Sequence, residues 1–395
     1  MRYILPLLLL AFLSRGTVSE AATFSPVNSL SARLRVVERV RQRAFLHPVE
    51  QKTISRDELR AFIRGQFDKD LRVTTQQYLD ILQTAHLISP SGTDFEKLLD
   101  LYDAQVLAFY DPATHTYYSL DRLPAGTSLN PMMTDTVAIH ELMHAMQDQR
   151  FLVGDVLASQ KGRWDAQTAY QAVVEGEATL VMMAAMFEMM GKSMRDLIQD
   201  EALQQTLSQA SSVESGFVEG TEPYFIESMK FPYVDGFRFV VEAYRRGGWT
   251  AVDELHRDPP RSTEQILHPE LYFAANRNID FAEPVMVQPL ELSEKPIFHG
   301  PFGEFAIRFL LGGEAAAGWR GDNIAFYGNG EKRVVVVQTE WDTTLDAEEF
   351  AASYLAFLRS KGHKDVVMTC SGRYVKTVYG GNASRRRKLG LAASR

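Results

Sequence analysis

"TDTVAIHELMHAMQDQRF", residues 134–151, carries two histidines, a glutamate between them and an aspartate beyond, all inside an apolar pattern. Asn130 and Pro131 precede it, a capping residue and a first-turn proline that open a helix. On that helix His140 and His144 are four apart, about 40° of rotation and about 6 Å of rise. Both imidazoles leave one face and can meet at one ion. Glu141 sits about 100° round from His140. It can reach the edge of such a site without ligating, which suits a base acting on metal-activated water. Zinc favours nitrogen and oxygen donors in a tetrahedron, and a catalytic site takes three protein ligands with one place left for water. The helix offers two. The plain alternative is a buried amphipathic helix with satisfied histidines, so the third donor decides.

"YQAVVEGEATL", residues 170–180, holds the best candidates. The run "ATLVMMAAMFEMM" makes the segment from about 166 to 190 a buried helix, its methionines core filler rather than a cofactor box. The stretch "LVGDVLASQKGRWD", 152–165, leaves enough chain for an antiparallel return. Glu175 is the leading third ligand and Glu177 its rival. Two positions apart on a helix point to roughly opposite faces, so only one of the pair should face an ion.

"HELMHAMQD", 140–148, resembles the zinc helix of thermolysin-like metallopeptidases. HExxH followed by a glutamate a few tens of residues later is the gluzincin pattern. "EGEA", 175–178, is similar to the Glu-Gly-x-Ala segment of zinc aminopeptidases. The resemblance covers residues 131–180 and implies Zn2+ held by His140, His144 and Glu175, with Glu141 as general base and acid in peptide-bond hydrolysis. It implies a peptide or protein substrate, held by edge pairing against the strands of 106–120. It also implies an oxyanion donor from a later helix or loop, for which Tyr233 and His268 are candidates. Asp148 stands where the thermolysin-like motif keeps an aspartate, or serves a structural bond. Thr179 stands where the family places an aspartate that orients a histidine, so that support is in question. Outside the window, "FPYVDGFRFV" and "PPRSTEQILHPELY" are loosely similar to predicted secreted bacterial metallopeptidases.

The rest of the chain fits an exported globular protein. With 45% hydrophobic and 23% charged residues, the 395-residue chain can bury a sizeable core. A net charge of −8 gives no reason to expect nucleic acid as a partner. "MRYILPLLLLAFLSRGTVSEAATF" reads as a secretory signal peptide: Arg2, an apolar run Tyr3 to Leu13, and Ser19-Glu20-Ala21 before cleavage after Ala21. That run is short for a bilayer span, so no stable membrane insertion is expected after cleavage. The expected location is secreted or periplasmic, in a bacterium. Cys370, the single cysteine, reads as a small buried hydrophobe. G-x-S-x-G, P-loop and G-x-G-x-x-G motifs are all absent from the sequence. "RGD" at 320–322 reads as a coincidence, and His115 and His299 as surface or capping residues.

The expected fold class is α+β: a helix-rich zincin-like catalytic core with a smaller C-terminal α+β unit. The expected organisation is a signal peptide over 1–21 and a metallopeptidase domain over 22–290. A C-terminal α+β subdomain over 291–380 and a basic disordered tail over 381–395 follow. Residues 28–104 read as mostly helical, with arginines of 31–72 on a solvated face and capping boxes at Ser55/Glu58 and Thr93/Glu96. "QVLAFYDPATHTYYSLD" reads as strand–turn–strand, 209–222 as a loop, and 284–301 as a linker. "FIESMKFPYVDGFRFVVEAYRRGGW" reads as helical with a break near Pro232. Beyond 301 come a helix near 303–311, strands flanking Asn329-Gly330, a helix over about 346–360 and two further strands. The functional reading is a secreted zinc metallopeptidase. The alternative is an exported binding or assembly protein with a structural or degenerate zinc site.

Overall fold

The computed structural model describes residues 29–70, 73–90, 94–123, 130–199, 220–274, 294–328 and 330–389. The expected signal peptide, the expected loop as far as 219 and the expected linker as far as 293 lie outside them. In chain order the first elements are α1 (Leu30–Arg41), β1 (Glu50–Ile54), α2 (Arg56–Asp70), α3 (Thr75–Thr84) and α4 (Phe95–Gln105). Then come β2 (Ala108–Asp111), β3 (Thr116–Leu120), α5 (Pro131–Phe151), α6 (Val153–Ser159), α7 (Trp164–Met189) and α8 (Met194–Gln199). The chain continues through α9 (Pro223–Arg257), α10 (Thr263–Leu267), α11 (Pro269–Phe273), β4 (Phe298–Gly300), α12 (Gly303–Leu311) and α13 (Gly313–Ala316). It closes with β5 (Trp319–Tyr327), β6 (Val334–Trp341), α14 (Thr344–Ser360), β7 (Val367–Ser371), β8 (Tyr374–Gly380) and α15 (Ala383–Lys388). The class is α+β, a helical core followed by a C-terminal sheet region. No helix among the described residues is long and apolar enough to cross a membrane.

Two compact units divide the chain. The first takes residues up to 71, 91–159 and 169–259. Its small sheet has the order β1-β3-β2, with β1 parallel and β2 antiparallel to the central β3. The Asn130 side chain accepts the Met133 N–H at 2.8 Å to start α5. A left-handed Leu152 ends it, its N–H returned to Asp148 O. Every residue from 135 to 148 is buried, so α5 runs through the core with no solvated face.

Backbone contact, not side-chain interdigitation, sets how α7 meets α9. A Cβ on Gly176 would lie 2.3 Å from the Gly236 carbonyl oxygen, and one on Gly236 would lie 2.1 Å from that of Ala172. Only hydrogen fits at either position, so the two glycines bring the helices together where Glu175 and Tyr233 emerge. α9 runs straight through Pro232, contrary to the expected break there. The non-helical residues are Gly247 and Gly248, the latter at φ 61° and ψ −153°. Pro232 is buried between Phe231 and Tyr233, and their packing outweighs the hydrogen bond its missing N–H forfeits. One arginine also departs from expectation: Arg41 is 1% exposed, on the inner face of α1.

The second unit takes 72–90, 160–168 and everything from 260 on, rather than the contiguous segment 291–380. Its sheet has the order β4-β5-β6-β8-β7, antiparallel throughout. Side-chain bonds draw in the remote segments. Asp165 Oδ1 accepts the backbone N–H and hydroxyl of Thr263 at 3.0 and 2.6 Å. Arg333 donates to the Asp80 carbonyl at 2.9 Å and the Thr84 hydroxyl at 2.6 Å. The "RGD" tripeptide is buried within β5. Cys370 is exposed, not buried: β7 is an edge strand whose last residues face outward. The basic segment expected to be a disordered tail forms α15 over Ala383–Lys388, with Arg386 buried and donating to the carbonyls of Gly380 and Gly381. Asp94, not Thr93, caps α4.

Candidate metal centre

Two histidines of α5 and one glutamate of α7 meet inside the first unit. His140 Nε2 lies 3.0 Å from Glu175 Oε2 and 3.1 Å from His144 Nε2. His144 Nε2 lies 3.5 Å from the same Glu175 oxygen. A tetrahedral ion with bonds of about 2.0–2.2 Å requires donor–donor edges of about 3.3–3.6 Å. The triangle matches the donor set in type; one edge, 3.5 Å, has the required length, and the other two, 3.0 and 3.1 Å, must open by about 0.2–0.3 Å to admit an ion. His140 Nδ1 is buried and has no hydrogen-bond partner among the described residues.

The ligand atoms of His140, Glu141 and His144 all lie within 4.8 Å of one another, a buried group that could hold a metal ion. Within the wider set Glu175 comes closer to both imidazoles than that limit. Glu141 is turned instead toward β2, where its Oε2 accepts the Tyr110 backbone N–H at 3.2 Å. Tyr110 N–H is thus spent on Glu141 at the edge strand of the sheet.

Glu175 and Glu177 do part to opposite faces of α7. Glu177 Oε2 accepts from Gln147 Nε2 at 2.7 Å and meets His256 Nε2 at 2.7 Å, while Oε1 accepts from Arg41 Nε at 2.5 Å. Arg41 also donates to Asp253 Oδ1 at 2.5 Å, and Arg43 pairs with the other Asp253 oxygen. Gln147 Oε1 lies 2.8 Å from His144 Nδ1, and its Nε2 also donates to the Val174 carbonyl at 2.9 Å. This buried polar layer connects α1, α5, α7 and α9 directly behind His144.

Tyr233 is 1% exposed; its ring stacks on that of His140 at 5.9 Å, and its hydroxyl hydrogen-bonds Glu175. Of the two oxyanion candidates, it is the one beside the metal group. His268 lies in the second unit, its Nε2 3.0 Å from Glu304 Oε1. Asp148 serves a structural bond: its Oδ2 accepts the Tyr110 hydroxyl at 3.1 Å and lies 3.5 Å from the exposed His115. Thr179, one turn beyond Glu175, is fully buried and its hydroxyl has no partner among the described residues.

The electrostatics follow from burial opposed by partners. Burial would raise Glu175, but the charge and hydrogen bonds of His144 and His140 bring it down to about 2. Burial would likewise raise Glu177; Arg41 and His256 bring it to about 2. Burial lowers His140, while on His144 the Glu175 carboxylate overcomes burial and lifts the imidazole to about 9. For Glu141 burial outweighs the nearby His144 charge and pushes the carboxyl up to about 8. Of the two histidines sharing Glu175, the positive charge belongs on His144, which also has Gln147 behind it.

Sequence reasoning brought together His140, Glu141, His144 and Glu175, and it missed Gln147, Arg41, Asp253 and His256. A glutamine one turn after a histidine carries no signature, and a buried arginine cannot be told from its solvated neighbours along one helix.

A family model described as "Domain of unknown function (DUF8575)" matches residues 294–388, which include the five-stranded sheet and none of the metal group. No curated protein and no solved structure matches the chain.

Proposed function

We propose that the chain is an exported zinc metallopeptidase with a zincin-like core of the gluzincin type. In this reading His140, His144 and Glu175 hold the ion, and Glu141 moves the proton. The observation that carries it is the triangle of two imidazole nitrogens and one carboxylate oxygen, 3.0–3.5 Å on its edges, with Glu141 beside it. Zinc supplies Lewis acidity, making water a nucleophile at neutral pH and polarising a carbonyl. Glu141 takes the proton from the attacking water and passes it to the leaving amine, the work of a general base and then acid. Tyr110 N–H fixes the carboxylate for that role. Tyr233 offers a hydroxyl to the developing oxyanion once it turns from Glu175. An extended peptide pairs along the edge strand β2, on the backbone groups flanking Tyr110 N–H.

The test is Glu141→Gln in the full chain with a fluorogenic peptide mixture. About one equivalent of zinc stays bound and hydrolysis falls by about 10²–10⁴-fold. Undiminished hydrolysis overturns the assignment of the base.

A second reading, a structural zinc in an exported binding or assembly protein, is favoured by burial: His140, Glu141, His144 and Glu175 are each 1–3% exposed. Chelation separates the two. A catalytic ion leaves a folded, inactive protein, whereas a structural ion carries folding energy and its loss lowers the melting temperature sharply.

A further inference from the structure

The hydrogen bonds behind His144 fix which of its nitrogens carries hydrogen. The Val174 carbonyl can only accept, and Glu177 Oε2 lies on the same end of the Gln147 amide. Both sit 2.7–2.9 Å from one end of the Gln147 amide, so that end is the NH2. The other end is therefore the carbonyl oxygen, and it lies 2.8 Å from His144 Nδ1. An oxygen there requires Nδ1 to donate. Nδ1–H in turn leaves Nε2 as the nitrogen that faces Glu175 and His140 and that binds an ion once its own proton is displaced. His140 has no such device: its Nδ1 is buried without a partner among the described residues.

We propose that Gln147 is the positioning residue that locks His144 as the Nδ1–H tautomer for metal binding, with Glu177 orienting Gln147. This rests on the zinc reading above. "EGE" then does two jobs from opposite faces of α7: Glu175 ligates, and Glu177 anchors the partner of a ligand. Gly176 between them is the point of backbone contact with α9, so ligand and anchor are set by one crossing. The two histidines become unequal in function, one held from behind and one held by stacking on Tyr233.

The experiment uses the full chain with zinc alone as the probe. Zinc affinity is read by competition with a chromophoric chelator, and the imidazole nitrogens by ¹H–¹⁵N NMR of the zinc-loaded protein. In the wild type, His144 shows a protected Nδ1–H, while the His140 Nδ1–H exchanges faster. Gln147→Met, similar in size but unable to accept that hydrogen, weakens zinc by about 10–100-fold and removes the protection at His144. A purely structural Gln147 would leave the His144 signal unmoved; that result, with unchanged zinc affinity, overturns the inference alone. Absence of zinc uptake by the wild type overturns the zinc reading and this inference with it. Should Gln147→Met fail to fold, the wild-type spectrum decides, since Nε2–H on zinc-loaded His144 contradicts the proposal.

Discussion

In the first unit Glu177 and Asp253 are buried against Arg41, itself 1% exposed, with His256 on Glu177 and Arg43 on Asp253. In the second unit Asp165, Glu264 and Asp322 are also buried, but Asp165 and Asp322 are held by neutral donors and Glu264 stands among other acids. Asp165 accepts from Thr263, and Asp322 from the backbone N–H groups of Phe302 and Gly303 at 2.9 and 3.1 Å. Arg320 stands 3.7 Å from Glu340 and from Asp342. Burial alone raises Glu177, Asp165, Glu264 and Asp322. Cations reverse it for Glu177, which falls to about 2. Without a close cation Asp165 is pushed up to about 6, Asp322 to about 7, and Glu264, near Glu304, to about 9. Similar burial thus ends in opposite shifts, and what decides is whether a guanidinium reaches the carboxylate. The layer behind the metal group is a charged clamp, whereas the second unit stores protons.

The strongest way to break the comparison is to remove the cation. Arg41→Met removes the guanidinium that Glu177 and Asp253 share, leaving Glu177 with His256 and Asp253 with Arg43, and the loss should be about 3 kcal/mol in urea unfolding, the low end of the cost of breaking a buried ion pair. A loss under 1 kcal/mol would mean the clamp does not hold those charges.

Acid and base should then act on the two units in opposite directions. Glu177 has a lowered folded pKa, so its contribution is complete above its ordinary value of 4.5 and is lost as pH falls toward 2. The second unit's acids have raised folded pKa values. Their protonated forms favour folding at low pH, and that stability is lost as pH rises through about 6 to 9. Amide exchange in β5, corrected for intrinsic rates, should lose protection between pH 5 and 9 by on the order of a few kcal/mol. α5 should lose much less over that range. Glu264→Gln should flatten the slope in β5; identical slopes with and without it would remove the proton store from the account.

The smallest effect sharpens the same point. Arg39 and Glu188 form a 2.9 Å pair on the surface of the first unit, 60% and 37% exposed. Arg39→Ala should cost about 0–1 kcal/mol, although it lies only two residues from Arg41. A loss rivalling that of Arg41→Met would show that burial is not what separates them.

How much of this was legible follows from the range of each interaction. His140 and His144 share a helical face by spacing alone, and Glu175 was one of only two candidates on the next helix. Strands β2, β3 and β5 to β8 and the capping of α5 are local patterns and were readable, whereas β1, inside the segment read as helical, and β4, inside the expected linker, were not. The crossing at Gly176 and Gly236 was not, because nothing local tells a packing glycine from a flexible one. Arg41 repeats the difficulty: its partners lie 136 and 212 residues away. Pro232 looked like a helix breaker, while the interruption falls at Gly247–Gly248, where a left-handed residue is required. Segments 72–90 and 160–168 join the second unit through single polar side chains, Asp80, Thr84 and Asp165, that no periodicity reveals.

The most direct examination of the centre is anomalous X-ray scattering at the zinc edge from crystals of the full chain grown with zinc. The account requires one strong peak within about 2.0–2.2 Å of His140 Nε2, His144 Nε2 and a Glu175 oxygen. A peak that excludes Glu175, or none between these three residues, would contradict it.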